Sequence, residues 1–482
     1  MAGELDLVAR LLAYEGGRAV SIATHRLMAI RPDALVLCPL AMAGEDTTVH
    51  IVAVGAIGRP PEIYCVADPR VRDEQYELFA WLGARIERHF ETCRRAGEYP
   101  QIWVSSGAVA DHLDTLADRQ RYNRENAAVK RFGELLSYQT ERYPVDGQQA
   151  LITATGALRM HWATGQQPGE DEHLGTLLAW IEPPRNTNIL DAVALAERVP
   201  MGVKTDPEFD RDVLEPRVAA YNQARRGGAR AVELRQRAGL IQQALEPVVR
   251  SIYDGTQRAI RILSRMGLPE LPALRNLEER ERDEFESFMA SRDAGYHLPL
   301  VDKPRPAAFK LTAREDAADN FEAAVLCGDG VGRARARLAG HTVYGQVENP
   351  RRTRLSPHRF RYRFDLVSRQ RVLRVRRRDE LASLGDPRLR VTVANVHREG
   401  AVTRISAIIT HGQQAVGLPA SGTTLELAKT VPDWDRLIRT RKQLRQRLVA
   451  TPWTHDEQGT APAVTRARRP PRDPLAEVEA LR

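Results

Sequence analysis

The chain has 482 residues, 43% hydrophobic and 28% charged, with a net charge of +8. That composition excludes a disordered chain and, at roughly 150 residues per domain, allows about three domains with cores of their own. No run approaches the roughly 18–20 apolar residues that cross a bilayer, and Met1-Ala2-Gly3-Glu4-Leu5-Asp6 has no basic stretch ahead of an apolar one. Cys38, Cys65, Cys93 and Cys327 lack Cys-x-x-Cys spacing, which speaks against a zinc ribbon or disulfide framework. A cytoplasmic protein with small buried thiols and no cofactor is expected.

In chain order, Leu5 to Ala13 reads as a helix, and Ala34 to Cys38, Val49 to Val54, Glu62 to Ala67 and Gln101 to Val104 read as buried strands. Between the last two, Asp73 to Arg95 sets Tyr76, Phe79, Leu82, Ile86 and Phe90 three and four residues apart, the spacing of an amphipathic helix with core aromatics. A three-strand meander, a crossover helix and a fourth strand result. That is the layout of ribonuclease-H-like α/β domains, here over residues 1–122, although other short α/β sandwiches give the same string.

Residues 123–207 read as a helical domain, with Val129 to Tyr138, Gly147 to Trp162 and Glu170 to Ile181 as helices and Pro183-Pro184 as a stop. Residues 208–327 hold long charged helices broken at Gly227-Gly228, with Leu277 to Ser291 among them, and predict a projecting stalk. Tyr296 to Pro306 reads as an extended connector, and Thr312 with Glu315 as a capping box. Period-two patterning over 328–430 predicts a small barrel from Arg335 to Arg337, Thr342 to Val347, Phe360 to Phe364, Val372 to Val375, Leu389 to Asn395 and Val402 to Thr410. A helix then returns within 431–455, with Trp434, Leu437, Ile438, Leu444 and Leu448 on one face. Residues 456–482 form a loose Pro-, Ala- and Arg-rich tail. The fold class expected is α+β multidomain.

Charge is unevenly divided. From residue 331 onward there are 31 Lys+Arg against 14 Asp+Glu, a net +17, so residues 1–330 sum to −9. A basic end on an acidic body points to a polyanion partner. Within that end, Arg359, Arg361 and Arg363 alternate with Phe360, Tyr362 and Phe364, and Arg369, Arg371, Arg374, Arg376, Arg377 and Arg378 come next. On a strand pair the aromatics would enter a core while the guanidiniums line the other face at roughly 7 Å, a spacing suited to a phosphate backbone. Arg359, Arg361, Arg363, Arg371, Arg374, Arg376, Arg377 and Arg378, with Arg441, Lys442 and Arg445 on the returning helix, are the candidate nucleic-acid contacts. Tyr344, Tyr362 and Trp453 are the candidate stacking aromatics, which tips the expectation slightly towards single strands over duplex.

Taken together, the charged helical hairpin, the small barrel and the returning helix ending in Thr451-Pro452-Trp453-Thr454-His455 resemble the region upstream of the ATPase motor in superfamily 1 barrel-bearing helicases, over roughly residues 210–482. Tyr99-Pro100-Gln101-Ile102-Trp103-Val104 followed by Asp111-His112-Leu113 looks like the later strand and helix of the ribonuclease-H-like domain that precedes such motors in some bacterial proteins. The resemblance implies a stalk and barrel that contact single-stranded nucleic acid beside a motor, in roles such as DNA repair or phage defence.

This chain departs from that family in its chemistry. No Gly-x-x-x-x-Gly-Lys-Ser/Thr string exists, and Gly328-Asp329-Gly330-Val331-Gly332 lacks the lysine, so it reads as a turn before a strand. The chain stops, around Leu475 to Leu481, about where a motor would begin, which under the resemblance implies a separate or lost motor. The first strand, Leu35-Val36-Leu37-Cys38-Pro39-Leu40, has none of the acids that two-metal cleavage requires. Asp68, Asp111 and Asp114 are the alternative catalytic set, with Asp111 otherwise a helix-start acid. Glu170 with His173, and Ser105-Ser106-Gly107, are weaker patterns for metal and nucleophile chemistry. The reading is a non-catalytic nucleic-acid-binding accessory subunit beside a helicase or nuclease partner, binding neither metal nor membrane. The alternatives are a metal-dependent nuclease and an adaptor for an acidic protein.

Overall fold

A computed structural model describes residues 4–143, 145–299, 301–356, 359–412, 416–446 and Thr460, with side chains at 355, 356 and 359 excluded. The chain is mixed α+β. It divides into two compact units, residues 1–298 with 317–434, and residues 299–316 with 435–482. Trp453 and the Thr451–His455 segment lie outside the described residues, as does the tail apart from Thr460. Among the described residues no helix is long and apolar enough to cross a membrane.

The first unit is organised around a five-stranded sheet. In sheet order the strands are Glu62–Cys65, Ile51–Ala56, Leu35–Leu40, Ile102–Val104 and Leu151–Thr153; the first three are mutually antiparallel and the last two run parallel to Leu35–Leu40. Alternation sends side chains to opposite faces. Leu37, Val52, Val54, Ile102 and Val104 meet one core with Leu78, Phe79, Leu82, Ile86 and Phe90 of the helix Arg72–Arg95. Val36, Cys38, Leu40, Ile51, Ala53 and Trp103 meet the other. Both faces being covered, the central strands are apolar throughout.

The fifth strand lies in a stretch that reads as helix from Gly147 to Trp162. Instead, Leu151–Thr153 adds to the sheet edge, the helix shrinks to Ala154–Arg159, and Trp162–Ala163 pairs with Val20–Ser21. Pairing with Ile102–Val104 hydrogen-bonds this backbone and buries Leu151, a tertiary gain that outweighs helix spacing. The long helix Ala231–Arg265 also departs from the projecting stalk expected of 208–327. Its stripe Ile241, Leu245, Val249, Ile252, Tyr253, Ile260 and Leu263 is buried against the second face of the sheet. Its first turns leave the apolar Val232 and Leu240 exposed, and further along only its outer face, with Arg250, Asp254 and Arg261, meets solvent.

The barrel belongs to the same unit. Six antiparallel strands close in the order Glu380–Ser383, Arg390–Glu399, Val402–His411, Arg359–Ser368, Thr342–Ser356 and Thr424–Ala428. Val343, Val347, Phe364, Leu366, Val391, Val393, Ile405, Ala407, Ile409 and Leu427 fill it. Gly345 is required by close approach, since a Cβ there would sit 2.4 Å from the Val367 carbonyl oxygen. Two expected strands are absent. Arg335 to Arg337 fall in a helix, Gly330–Leu338, because Asp329 caps it by accepting from the Gly332 N–H. Val372 to Val375 form a loop, because Arg359–Ser368 and Glu380–Ser383 are not barrel neighbours and the chain between them must cross over. Glu380–Ser383 and Thr424–Ala428 supply the strands needed for closure.

In the second unit the helix already begins at Pro304, so the connector from Tyr296 ends at Lys303 rather than Pro306 and the capping box does not form. The Thr312 hydroxyl donates to the Ala308 carbonyl at 2.8 Å, as a helix-interior threonine does. The helix Arg436–Gln446 buries no residue, and Arg436 pairs with Asp316 at 2.8 Å.

Candidate nucleic-acid interface

The strands Thr342–Ser356 and Arg359–Ser368 are longer than the barrel needs. Strand Arg359–Ser368 pairs with Val402–His411 only from Arg363 to Ser368, and strand Thr342–Ser356 pairs with Thr424–Ala428 only from Thr342 to Gln346. Beyond Arg351 and Arg363 the two strands pair solely with each other and form a two-stranded ribbon. A register shift between Glu348 and Arg351 precedes it, with Asn349 at φ 49° and its side chain donating to Asp365 at 3.1 Å. Such a bulge bends a strand and re-aims the residues beyond it.

Register fixes the ribbon's two faces, because directly opposed residues share one. Arg351 stands opposite Arg363 and Thr353 opposite Arg361 on one face; Arg352 stands opposite Tyr362 and Arg354 opposite Phe360 on the other. Of the expected core aromatics only Phe364 is fully buried; Phe360 and Tyr362 are half-buried beneath Arg352, whose guanidinium lies 3.7 and 5.6 Å from their ring centres. Arg351, Arg352, Arg354, Arg361 and Arg363 are all exposed.

These guanidiniums differ in their partners from other cations of the barrel. No described carboxylate lies within ion-pair distance of Arg351, Arg361, Arg363, Arg371, Arg374, Arg377 or Arg390. Other barrel cations are engaged: Arg337 with Glu426 at 2.7 Å, Arg404 with Glu348 at 2.7 Å and Lys429 with Asp379 at 2.6 Å. Arg363 opposite Arg351 is a direct like-charge pair, an arrangement that destabilises a strand pair and is relieved by an external anion.

The predicted row is therefore split. Arg361 and Arg363 lie on the ribbon, and so does the backbone of Arg359, whose side chain is outside the described residues. Arg371, Arg374, Arg376, Arg377 and Arg378 are exposed on the crossover loop after Ser368. Leu373 and Val375 anchor that loop in the barrel core, and the Arg378 N–H donates to the Val393 carbonyl at 2.8 Å. Arg378 has φ 74°, a left-handed conformation costing a non-glycine residue roughly 1–2 kcal/mol. Lys442 and Arg445 are exposed and Arg441 half-buried on the helix Arg436–Gln446 of the second unit. Sequence reading missed Arg351, Arg352 and Arg354. Their signal was Arg351-Arg352-Thr353-Arg354 mirroring Arg359 to Arg363 a few residues on, which Asn349-Pro350 disguised as a strand end.

The alternative catalytic acids are not assembled. Asp68 is buried; its carboxylate accepts from Asn222 Nδ2 at 2.6 Å and from the Arg70 N–H at 3.0 Å. Asp111 and Asp114 are exposed on the helix Gly107–Gln120. Among the described residues no three His, Cys, Asp or Glu side chains form a group able to hold a metal ion. His173 instead caps the helix Leu174–Ile181 by accepting from the Thr176 N–H, and the Glu170 carboxylate accepts from Gln167. Ser105 is fully buried. Gly328 to Gly332 is a structural tie. Asp329 accepts from the Thr24 N–H at 2.6 Å, the Thr24 hydroxyl at 2.7 Å and the Gly332 N–H at 2.9 Å. Burial favours its neutral acid, yet these donors hold it below the usual carboxylate range. All four thiols are free, and burial pushes Cys38 and Cys65 up to about 12.

Compared with known proteins, the chain matches no family model, no curated protein and no solved structure.

Proposed function

We propose that this chain is a non-catalytic nucleic-acid-binding protein whose barrel grips a phosphate backbone, acting beside a separately encoded helicase or nuclease. The observation that carries the reading is the set of exposed barrel arginines without carboxylate partners, Arg351, Arg361 and Arg363 on a ribbon with a like-charge pair at its base and Arg371, Arg374 and Arg377 on the crossover loop. Guanidiniums held apart from acids are free to exchange counterions for phosphates. The strand order of the five-stranded sheet, an antiparallel meander followed by two parallel strands, supports the ribonuclease-H-like reading of the N-terminal region. The acid-free first strand and the engagement of Asp68 by Asn222 favour binding over cleavage. The helicase or nuclease partner rests on the sequence resemblance alone.

The test is fluorescence anisotropy of the full chain with labelled DNA and RNA across a salt series, with and without magnesium. Steeply salt-dependent binding without cleavage is expected. Changing Arg361, Arg363, Arg374 and Arg376 to Glu should abolish binding while the melting temperature holds. Unchanged affinity in that variant contradicts the reading. No binding at low salt favours an adaptor for an acidic protein, and magnesium-dependent loss of substrate that vanishes in Asp111→Ala favours the nuclease.

A further inference from the structure

We propose that the chain pairs with a second copy of itself in a two-fold dimer, through an apolar face formed by the helix Glu4–Gly16 and the helix Ile189–Glu197. The face shares no residue with the candidate nucleic-acid contacts.

The first helix packs with its small side chains inward. Ala9 and Ala13 are buried, and Arg10 reaches fully buried Asp171 and the Gln166 carbonyl, both at 2.8 Å. An amphipathic helix ordinarily turns its large apolar residues to the core. Here Leu7, Val8, Leu11, Leu12 and Tyr14 are each at least half exposed, and at 3.6 residues per turn they share one side of the helix. The helix closes with a glycine cap: Gly17 at φ 62° lets the Arg18 N–H donate to the Ala13 carbonyl at 3.2 Å.

The second helix extends the face. A Cβ added to Gly17 would lie 3.8 Å from a methyl carbon of Ile189, so this helix starts where the first one ends. It contributes Leu190 and Leu195, also more than half exposed, and Val199 follows at 38%. Together these side chains present on the order of 800 Å², more than the roughly 300–600 Å² of the largest patch on a typical monomer and about one partner's share of a standard interface.

The charge around the face favours a copy of the same chain. Its rim carries both signs: Glu15, Asp191 and Glu197 are exposed, and so are Arg18, Arg185 and Arg198. Such a mixture complements itself, whereas an anionic lipid surface or a nucleic acid calls for an excess of cations. The side-chain spacing agrees. Leu7 with Leu11, and Val8 with Leu12, form i,i+4 ridges that fit the grooves of an identical helix. Run antiparallel about a two-fold axis at Leu11, the two helices set Val8 against Tyr14 of the copy and bring opposite dipole ends together.

The experiment is light scattering with sedimentation velocity on the nuclease-treated full chain, from nanomolar to micromolar concentration and at high salt, which strips bridging nucleic acid. The mass should reach twice the 54.0 kDa of one chain. L7E/L11E should raise the dimer dissociation constant about a hundredfold and L195E about tenfold, with the circular dichroism unchanged because these side chains are exposed. Under mild oxidation L11C should cross-link to its copy faster than the parent chain does through its four native thiols. A monomer at every concentration overturns the proposal, and so does a monomer that instead floats with phosphatidylcholine vesicles. A dimer that L7E/L11E leaves intact, or L11C that cross-links no faster than the parent, overturns it as well. None of these outcomes touches the phosphate grip of the barrel.

Discussion

The body around the five-stranded sheet and the barrel use the same side chain for opposite ends. In the body, several arginines are spent on structure: Arg142 pairs with buried Glu281 at 2.9 Å, Arg10 with fully buried Asp171 at 2.8 Å, and Arg31 and Arg282 converge on Glu98 at 2.6 and 2.8 Å. On the barrel's ribbon and crossover loop they stand exposed, and one pair faces its own kind. A carboxylate already offsets the charge of the arginine it holds and takes up some of its donors, so less is left for a phosphate. Exposed arginines outside ion pairs also dot the body, Arg88, Arg119 and Arg261 among them, so what sets the barrel apart is their gathering on one ribbon and one loop.

Arg142→Ala should break the body's side of the comparison. It strands Glu281, which also accepts from the Gln149 N–H at 3.1 Å, and should cost about 3–5 kcal/mol by thermal or urea melts. Nucleic-acid affinity should stay unchanged wherever the variant is folded. Acidification makes the same separation without mutation. Burial pulls His50 and His112 down to about 4 from an ordinary 6.5. The unfolded chain therefore binds those protons first; the stability is complete above about pH 6.5 and is lost as pH falls towards 4. A melt at pH 5 against pH 7 should show about 1–2 kcal/mol lost per histidine, while the arginines keep their charge. Asp329→Asn, which weakens the tie to Thr24 and Gly332, should cost about 1.5–3 kcal/mol and leave binding intact. The smallest stability effect sharpens the barrel's side. Arg363→Glu turns the like-charge pair with Arg351 into an opposite-charge pair, which should stabilise the barrel by about 0.2–1 kcal/mol while weakening nucleic-acid binding. Stability and affinity moving together in that variant would count against a binding role for the pair.

Much of the first sheet was legible, because Leu35 to Leu40 and Val49 to Val54 are apolar runs buried on both faces and the helix from Asp73 has an unbroken stripe. The fifth strand was not: Leu151–Thr153 is only three residues long and its strand character comes from its neighbour, Ile102–Val104. The long helix misled for a related reason, since charge on its outer face says nothing of what its inner stripe meets. In the barrel, the alternation from Arg359 to Phe364 marked a strand and its guanidiniums. It could not show that Phe360 passes beyond the barrel core while Tyr362 sits at its margin, because periodicity gives faces and not the point at which a sheet loses its neighbours. Nor could it show that Arg369 to Arg378 leave the ladder, which is a consequence of the order in which the strands close.

The most direct measurement is the salt dependence of duplex DNA binding for the full chain and for R361Q/R363Q. If these arginines hold phosphates, log affinity falls linearly with log salt, and removing two contacts lowers the slope by about 1.8, at about 0.9 per phosphate. A slope unchanged by the substitution would contradict the account and return Arg361 and Arg363 to the role of solvated surface.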